Sequence, residues 1–341
     1  MCLIVAREVV GVLMHIVTLG SGTGQATLLR GLRAYDCQVT AIVAVTDNGG
    51  HSGQLRHVLH IPQVGDTRQC LGALLDEASV WGKLLRYRFT AGELRGLSVG
   101  NLMLAALADI DSSLCAAVEE IRRAAGIAPR VLPVSDGDTH IAAELEDGRV
   151  VVGEWQIIQR QPPGAIVRLF LHPQVAAHPT VLEAIASADL LVCCPGSLLT
   201  GMLAVLLPTG MQHAIASSRA QCVYVCNLMT QPGQTDGYTA RQHLVMLQRY
   251  LGRQVDAVVL HNGAFPSALL TFYAQHGAFP VVNDLTACAA LVYLADLVEH
   301  PDAETLRTYG RPQGAGMQVG LHLMRHDASK LAAQIVALAS A

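Results

Sequence analysis

Aromatic side chains make up only 4% of the 341 residues and charged ones only 15%, with a net charge of −4. Nucleic-acid binding draws on a basic excess to neutralise phosphates and on aromatic platforms to stack bases, so this composition argues against it. No apolar run of membrane length goes uninterrupted. The richest stretch, DLLVCCPGSLLTGMLAVLLP, is broken by Pro195 and Gly196. The nine cysteines never take C-x-x-C spacing, and several sit inside apolar runs (LLVCC, QCVYVC), where a thiol behaves as a small buried hydrophobe. That usage fits a reducing compartment and sets the expectation of a cytoplasmic protein. The apolar N-terminus carries Arg7 and Glu8 and leads straight into a strand, which argues against a signal peptide. Residues 1–14 read as an N-terminal extension, with Met14 a second candidate start.

Several catalytic signatures are missing too. No Gly-Lys-Ser/Thr follows the first glycine loop, so it is not a P-loop, and there is no G-x-S-x-G nucleophile elbow. No cysteine stands in a pattern with histidine. His51, His60, His243, His261 and His326 lack ligand spacing, which leaves no zinc motif.

Hydrophobic residues, by contrast, reach 51%, enough for well-covered sheets in a chain of this length. Apolar strand-like runs alternate with amphipathic helical stretches from His15 onward, the pattern of a parallel α/β fold. Residues 66–126 read as mostly helical, and VLPVS followed by IAAELEDGRVVVGEWQII reads as a β patch with Asp147-Gly148 at a hairpin turn. The expected architecture is a Rossmann-like, doubly wound parallel sheet in a single domain over 15–341. A helical and β-hairpin lobe is inserted at about 54–160.

Polar chemistry collects where strands end. HIVTL opens into Gly20-Ser21-Gly22-Thr23-Gly24 and then an amphipathic helix, the arrangement that holds a phosphate on backbone N–H groups. It matches the first two glycines of the dinucleotide fingerprint, but Gln25 occupies the third position and Ala26 follows it. VTAIVAV opens into Thr46-Asp47-Asn48-Gly49-Gly50-His51-Ser52-Gly53. Asp47 could accept from a ribose, hold magnesium or close an Asx-turn on its own backbone. Asp66, in VGDTRQC, suits a helix cap, or could converge with Asp47 on a metal or an acceptor hydroxyl. Gly196, Ser197 and Thr200 follow the strand ending in Cys193-Cys194-Pro195 and offer hydroxyls and N–H donors, or an ordinary N-cap. Asn227 ends the next strand, and the loop after it, with Thr230, is too elaborate for a connector.

Taken together, GSGTGQATLLRGL, VTAIVAVTDNGGHSGQLR, VGDTRQCLGAL, YRFTAGELRGLSVGNLMLAAL, ADLLVCCPGSLLTGMLAVLL, VYVCNLMTQPGQTDGYTARQHL and MRHDASKLA resemble the YvcK/CofD-like family. That family comprises bacterial gluconeogenesis factors and the related 2-phospho-L-lactate transferases. The resemblance covers nearly the whole chain from His15 and implies a Rossmann-like core with an added lobe, often as a homodimer. In the transferase branch it implies a guanosine diphosphate moiety along the glycine and Pro-Gly-Ser loops. A deazaflavin alcohol with magnesium would lie near Asp47 and Asp66, and its attack on the lactate-bearing phosphate would release GMP. In the YvcK-like branch it implies a pocket for nucleotide sugars such as UDP-N-acetylglucosamine and a regulatory role in cell shape and wall carbon. NLMTQPGQT, PGSLLT and the Arg325-His326-Asp327 segment resemble that second branch more closely, and Arg325 would contact the diphosphate. No redox cofactor is implied.

Departures point the same way. Asn48 stands where the family's second acid is usual, His51 where a serine is usual, and Leu97 where histidine is common. Losing a carboxylate and a histidine weakens phosphotransfer more than binding, because binding rests on backbone donors and hydroxyls.

Overall fold

A computed structural model describes residues 13–47, 50–161, 164–286, 288–300 and 323–339, with only the backbone of 50–52, 54 and 57. Asn48 and Gly49, both candidate ligand contacts, lie outside the described residues.

The apolar runs become the strands of one parallel sheet. These are β1 (His15–Gly20), β2 (Gln38–Val43), β3 (Arg130–Pro133), β7 (Leu190–Cys193), β8 (Gln221–Val225), β9 (Ala257–His261) and β10 (Leu291–Ala295). Their order is β10-β9-β8-β7-β1-β2-β3, and every pairing is parallel. Every residue of β1 is buried, which is why parallel strands read as continuous apolar runs instead of alternating ones. The strand order reverses between β1 and β7, the place where open α/β sheets bind ligands at the carboxyl ends of their strands.

Helices flank the sheet. α1 (Gly22–Leu32) packs between α3 (Gly65–Ala73) and α12 (Ala328–Ala339), while α8 (Pro179–Ala186), α9 (Met211–Ser217) and α10 (Ala240–Leu251) form a separate row. Between β2 and β3 the chain adds α2 (Gly50–Leu59), α4 (Val80–Arg86), α5 (Val99–Asp111) and α6 (Leu114–Ala124). The expected helical block over 66–126 is therefore present but broken twice, between Ala73 and Val80 and over the longer stretch between Arg86 and Val99; Ser79 caps α4 by accepting from the Gly82 N–H at 3.0 Å.

The β patch divides. VLP joins the main sheet as β3, whereas β4 (His140–Leu145), β5 (Val150–Val152) and β6 (Ile166–His172) form a small antiparallel sheet ordered β5-β4-β6. A short helix, α7 (Glu154–Ile158), leaves β5 through Gly153 at φ 104°, a conformation only glycine takes without strain. The glycine loop expected to run to Gly53 is also shorter, because α2 begins at Gly50. Buried Arg56 draws that helix in: its Nε donates to Asp138 Oδ1 at 2.7 Å, and its guanidinium also donates to the carbonyls of Thr46 and Thr139.

Candidate functional site

A cavity of about 970 Å³ opens at the carboxyl rim of the sheet. Ser21, Gly22, Thr23 and Gly24 line it after β1, Asp47 after β2, and Asp66 and Gln69 on α3. Glu154 and Trp155 enter from α7, Gly196, Ser197 and Thr200 from the turn after β7, and Asn227, Thr230 and Gln234 from the loop after β8. Arg325 and His326 complete it from the segment before α12. Gly22, Asp47, Ser197 and Asn227, far apart in sequence, thus share one wall-to-wall space.

The glycine loop is held by close backbone approach. A Cβ on Gly24 would come within 1.9 Å of the Pro195 carbonyl oxygen, and one on Gly22 within 2.8 Å of Asp66 Oδ1. Only glycine lets the β1 and β7 loops touch. Gln25 is fully buried beneath them, its amide nitrogen donating to Thr18 O, Thr18 Oγ1 and Ile42 O at 3.0–3.1 Å. The side chain that departs from the glycine fingerprint is thus a strap tying β1 to β2. Gly20 is buried at the end of β1, below the cavity, and Gly50 opens α2. Ser21 precedes α1 but its side chain makes no cap, so the first N–H groups of the helix keep that interaction unfilled.

Some polar side chains brace the site. Asn227 Oδ1 accepts from the Gly196 N–H at 3.1 Å and its Nδ2 donates to Gly196 O at 2.7 Å, a two-point clamp on the turn after β7. Thr230 Oγ1 accepts from the Phe279 N–H at 2.9 Å. Thr23 Oγ1 donates to Gln69 Oε1 at 3.2 Å, and Gln234 Nε2 to Ser197 Oγ at 3.4 Å.

Asp66 is not a cap. It sits inside the first turn of α3, after Val64, and its carboxyl faces the cavity. Asp47 Oδ2 accepts from Gln63 Nε2 at 3.0 Å, and its carboxyl also contacts Glu154 by a hydrogen bond. Glu154 Oε1 accepts from Thr200 Oγ1 at 2.7 Å. Three acids therefore gather where sequence reading found two. Burial, with the Asp47 charge second, raises the Asp66 carboxyl to about 8, and the same two causes push Glu154 well above the usual carboxylate range. Glu154 carried no sequence signal, because the small sheet has to fold over the rim before this acid meets Asp47.

The comparisons with known proteins agree with this architecture. A family model described as 2-phospho-L-lactate transferase CofD matches residues 16–297. The chain belongs to the CofD family. A Thermotoga maritima member is 38% identical over 324 residues, covering 94% of this chain and 97% of its own. The Bacillus subtilis protein named gluconeogenesis factor is 38% identical over 279 residues, 81% of this chain and 87% of that one. Among solved structures, a Bacillus halodurans crystal structure, described as a member of the UPF0052 family, superposes with a TM-score of 0.85. It is 35% identical and covers 96% of this chain and 99% of its own. No helix among the described residues is long and apolar enough to cross a membrane.

Proposed function

We propose that this protein binds a nucleotide sugar of the UDP-N-acetylglucosamine type in the rim cavity. In this reading it acts without turnover, as a cytoplasmic regulator of cell shape and of carbon allocation to the wall. One observation carries the reading: the uncapped N-terminus of α1 opens, through Gly22–Gly24, into a cavity that Arg325 also lines. Orphan N–H groups, a favourable helix dipole and a guanidinium are what a diphosphate requires. The volume, near the upper end for small-ligand sites, suits a ligand larger than a mononucleotide. Similarity to proteins named gluconeogenesis factor favours this branch of the family over the transferases.

Asp47, Asp66 and Glu154 crowd one another enough to hold two of their carboxyls above the usual carboxylate range, and a divalent cation would let all three ionise beside a diphosphate, so one belongs to the proposal. Their hard oxygen donors suit magnesium, and a cation relieves the crowding of the acids. Bound there, magnesium would neutralise part of the diphosphate charge. The working unit is taken as a homodimer, which sedimentation would check.

A second reading is transfer of a phospholactyl-type group from a guanosine diphosphate donor to a deazaflavin alcohol. Asp66 favours it, since a carboxyl raised to about 8 is matched to proton abstraction near neutral pH. Asn48, in place of an acid, weighs against it.

Calorimetry with UDP-N-acetylglucosamine and with GDP, each with and without magnesium, separates the two. Magnesium-dependent binding of the UDP sugar without product formation supports the regulator. Preference for GDP, with GMP released on adding donor and alcohol, supports the transferase. Binding of neither ligand overturns both.

A further inference from the structure

The rim cavity leaves one constellation unused. Cys115 on α6, Asp136 in the turn after β3, and His178 at the start of α8 bring a thiol sulfur, a carboxylate oxygen and an imidazole nitrogen within 4.8 Å of one another. His178 Nε2 stands 3.8 Å from Asp136 Oδ2. Zinc bonds of about 2.0–2.3 Å in tetrahedral array put ligand atoms roughly 3.3–3.8 Å apart, so small rotations of these side chains close the set.

Asp136 and His178 are already aimed by bonds that metal binding would leave in place, while the Cys115 thiol would give up its bond to the Pro133 carbonyl. Asp136 Oδ1 accepts from the Cys115 N–H at 2.8 Å, and Oδ2 accepts from Ser113 Oγ at 3.0 Å. His178 Nδ1 lies 2.8 Å from Thr180 Oγ1. Nδ1 also accepts from the Thr180 N–H at 3.3 Å as the cap of α8, so a metal at Nε2 would displace the Nε2 proton, and the ring would stay held through Nδ1 by Thr180. Helix capping accounts for Asp136 and for His178 Nδ1, whereas the Cys115 thiol, bonded to the Pro133 carbonyl at 3.6 Å, and His178 Nε2 both turn toward the same carboxylate. All three side chains are half-buried, so a cation can enter from solvent and a water can complete its coordination.

We propose that Cys115, Asp136 and His178 form a binding site for a divalent transition metal of the zinc class. The mixed sulfur, nitrogen and oxygen set selects such an ion over magnesium or calcium. As the metal–sulfur bond forms, the thiol proton passes to solvent. The site would tie α6 and α8 to the turn after β3. That turn also carries Asp138, whose bond to Arg56 braces the segment that presents Asp47. Separations of 21 and 42 residues along the chain hide the set from any motif.

Cobalt(II) tests this on the full chain, with magnesium in excess to occupy the acids of the rim cavity. The expected result is a thiolate-to-cobalt charge-transfer band with the intense visible absorption of a four-coordinate site, saturating at one equivalent and displaced by zinc. Cys115→Ala abolishes the band. His178→Asn, which keeps a capping acceptor, weakens cobalt binding by at least about tenfold, the cost of losing even an outer partner of a ligand. If Cys115→Ala does not fold, His178→Asn decides. The proposal is overturned if the folded wild type shows no thiolate band. It also fails if the band survives Cys115→Ala or is untouched by His178→Asn, or if it disappears in Cys37→Ser or Cys288→Ser, the other two part-exposed thiols.

Discussion

A methyl group on Gly24 would lie 1.9 Å from the Pro195 carbonyl, so Gly24→Ala must push the β1 and β7 loops apart. Overpacking of this kind costs about 1–3 kcal/mol. Urea unfolding should show that loss, and nucleotide binding should fall with it because both loops shift. Arg325 is exposed and lines the cavity, so Arg325→Ala should weaken ligand binding. Losing a charge-assisted contact to phosphate should weaken binding roughly tenfold. Unchanged affinity in a titration would remove Arg325 from the site. His326 behaves differently. Burial, with nearby His261 as a smaller cause, lowers its imidazole to about 3, against 6.5 for the free side chain. Between those values the unfolded chain holds a proton that the folded chain lacks, so stability is complete above about pH 6.5 and drains away as pH falls. The slope from this residue is about 1.4 kcal/mol per pH unit. His326→Asn should flatten the dependence of the urea midpoint between neutral pH and pH 5, and an unaltered slope would contradict the assignment.

At the scale of elements, α1 presents the glycine loop and α12 holds α1 in place. Gly31 lets them meet, since its Cβ would fall 2.0 Å from the Ala328 carbonyl, while Leu331, Ala332 and Ile335 of α12 are fully buried. Ile335→Ala, at the centre of that contact, should cost about 2–5 kcal/mol in chemical denaturation. A cost under half a kilocalorie would mean that α12 does not support α1. Most of these elements were legible beforehand. β1, β2, β7, β8 and β9 announce themselves as unbroken apolar runs because both faces of a parallel sheet are covered. The start of α2 was not, because Gly50–Gly53 reads as loop and only the tertiary bonds of Arg56 commit the segment to helix. The split of the β patch between two sheets was hidden for a similar reason: pairing partners are chosen by topology, and VLP and IAAEL carry equal strand character.

Across the whole molecule, the turns that sequence reading singled out do share one rim, but their side chains divide the labour unevenly. Asn227 and Thr230, candidate nucleotide contacts, both line the cavity, and their hydrogen bonds to the Gly196 and Phe279 backbones also set the shape of its walls. Periodicity and glycine spacing locate a loop without telling a brace from a contact. Glu154 stayed invisible because it reaches Asp47 only through a second sheet, across more than a hundred residues of chain. The central claim is that the diphosphate of a nucleotide sugar rests on the N-terminus of α1. A crystal structure of the protein with UDP-N-acetylglucosamine and magnesium tests it most directly. The account predicts diphosphate density against the N–H groups of Gly22–Gly24 and the Gly196–Ser197 turn, with the cation at Asp47, Asp66 and Glu154. Density for the ligand anywhere else on the molecule, with that helix end still bare, would contradict it.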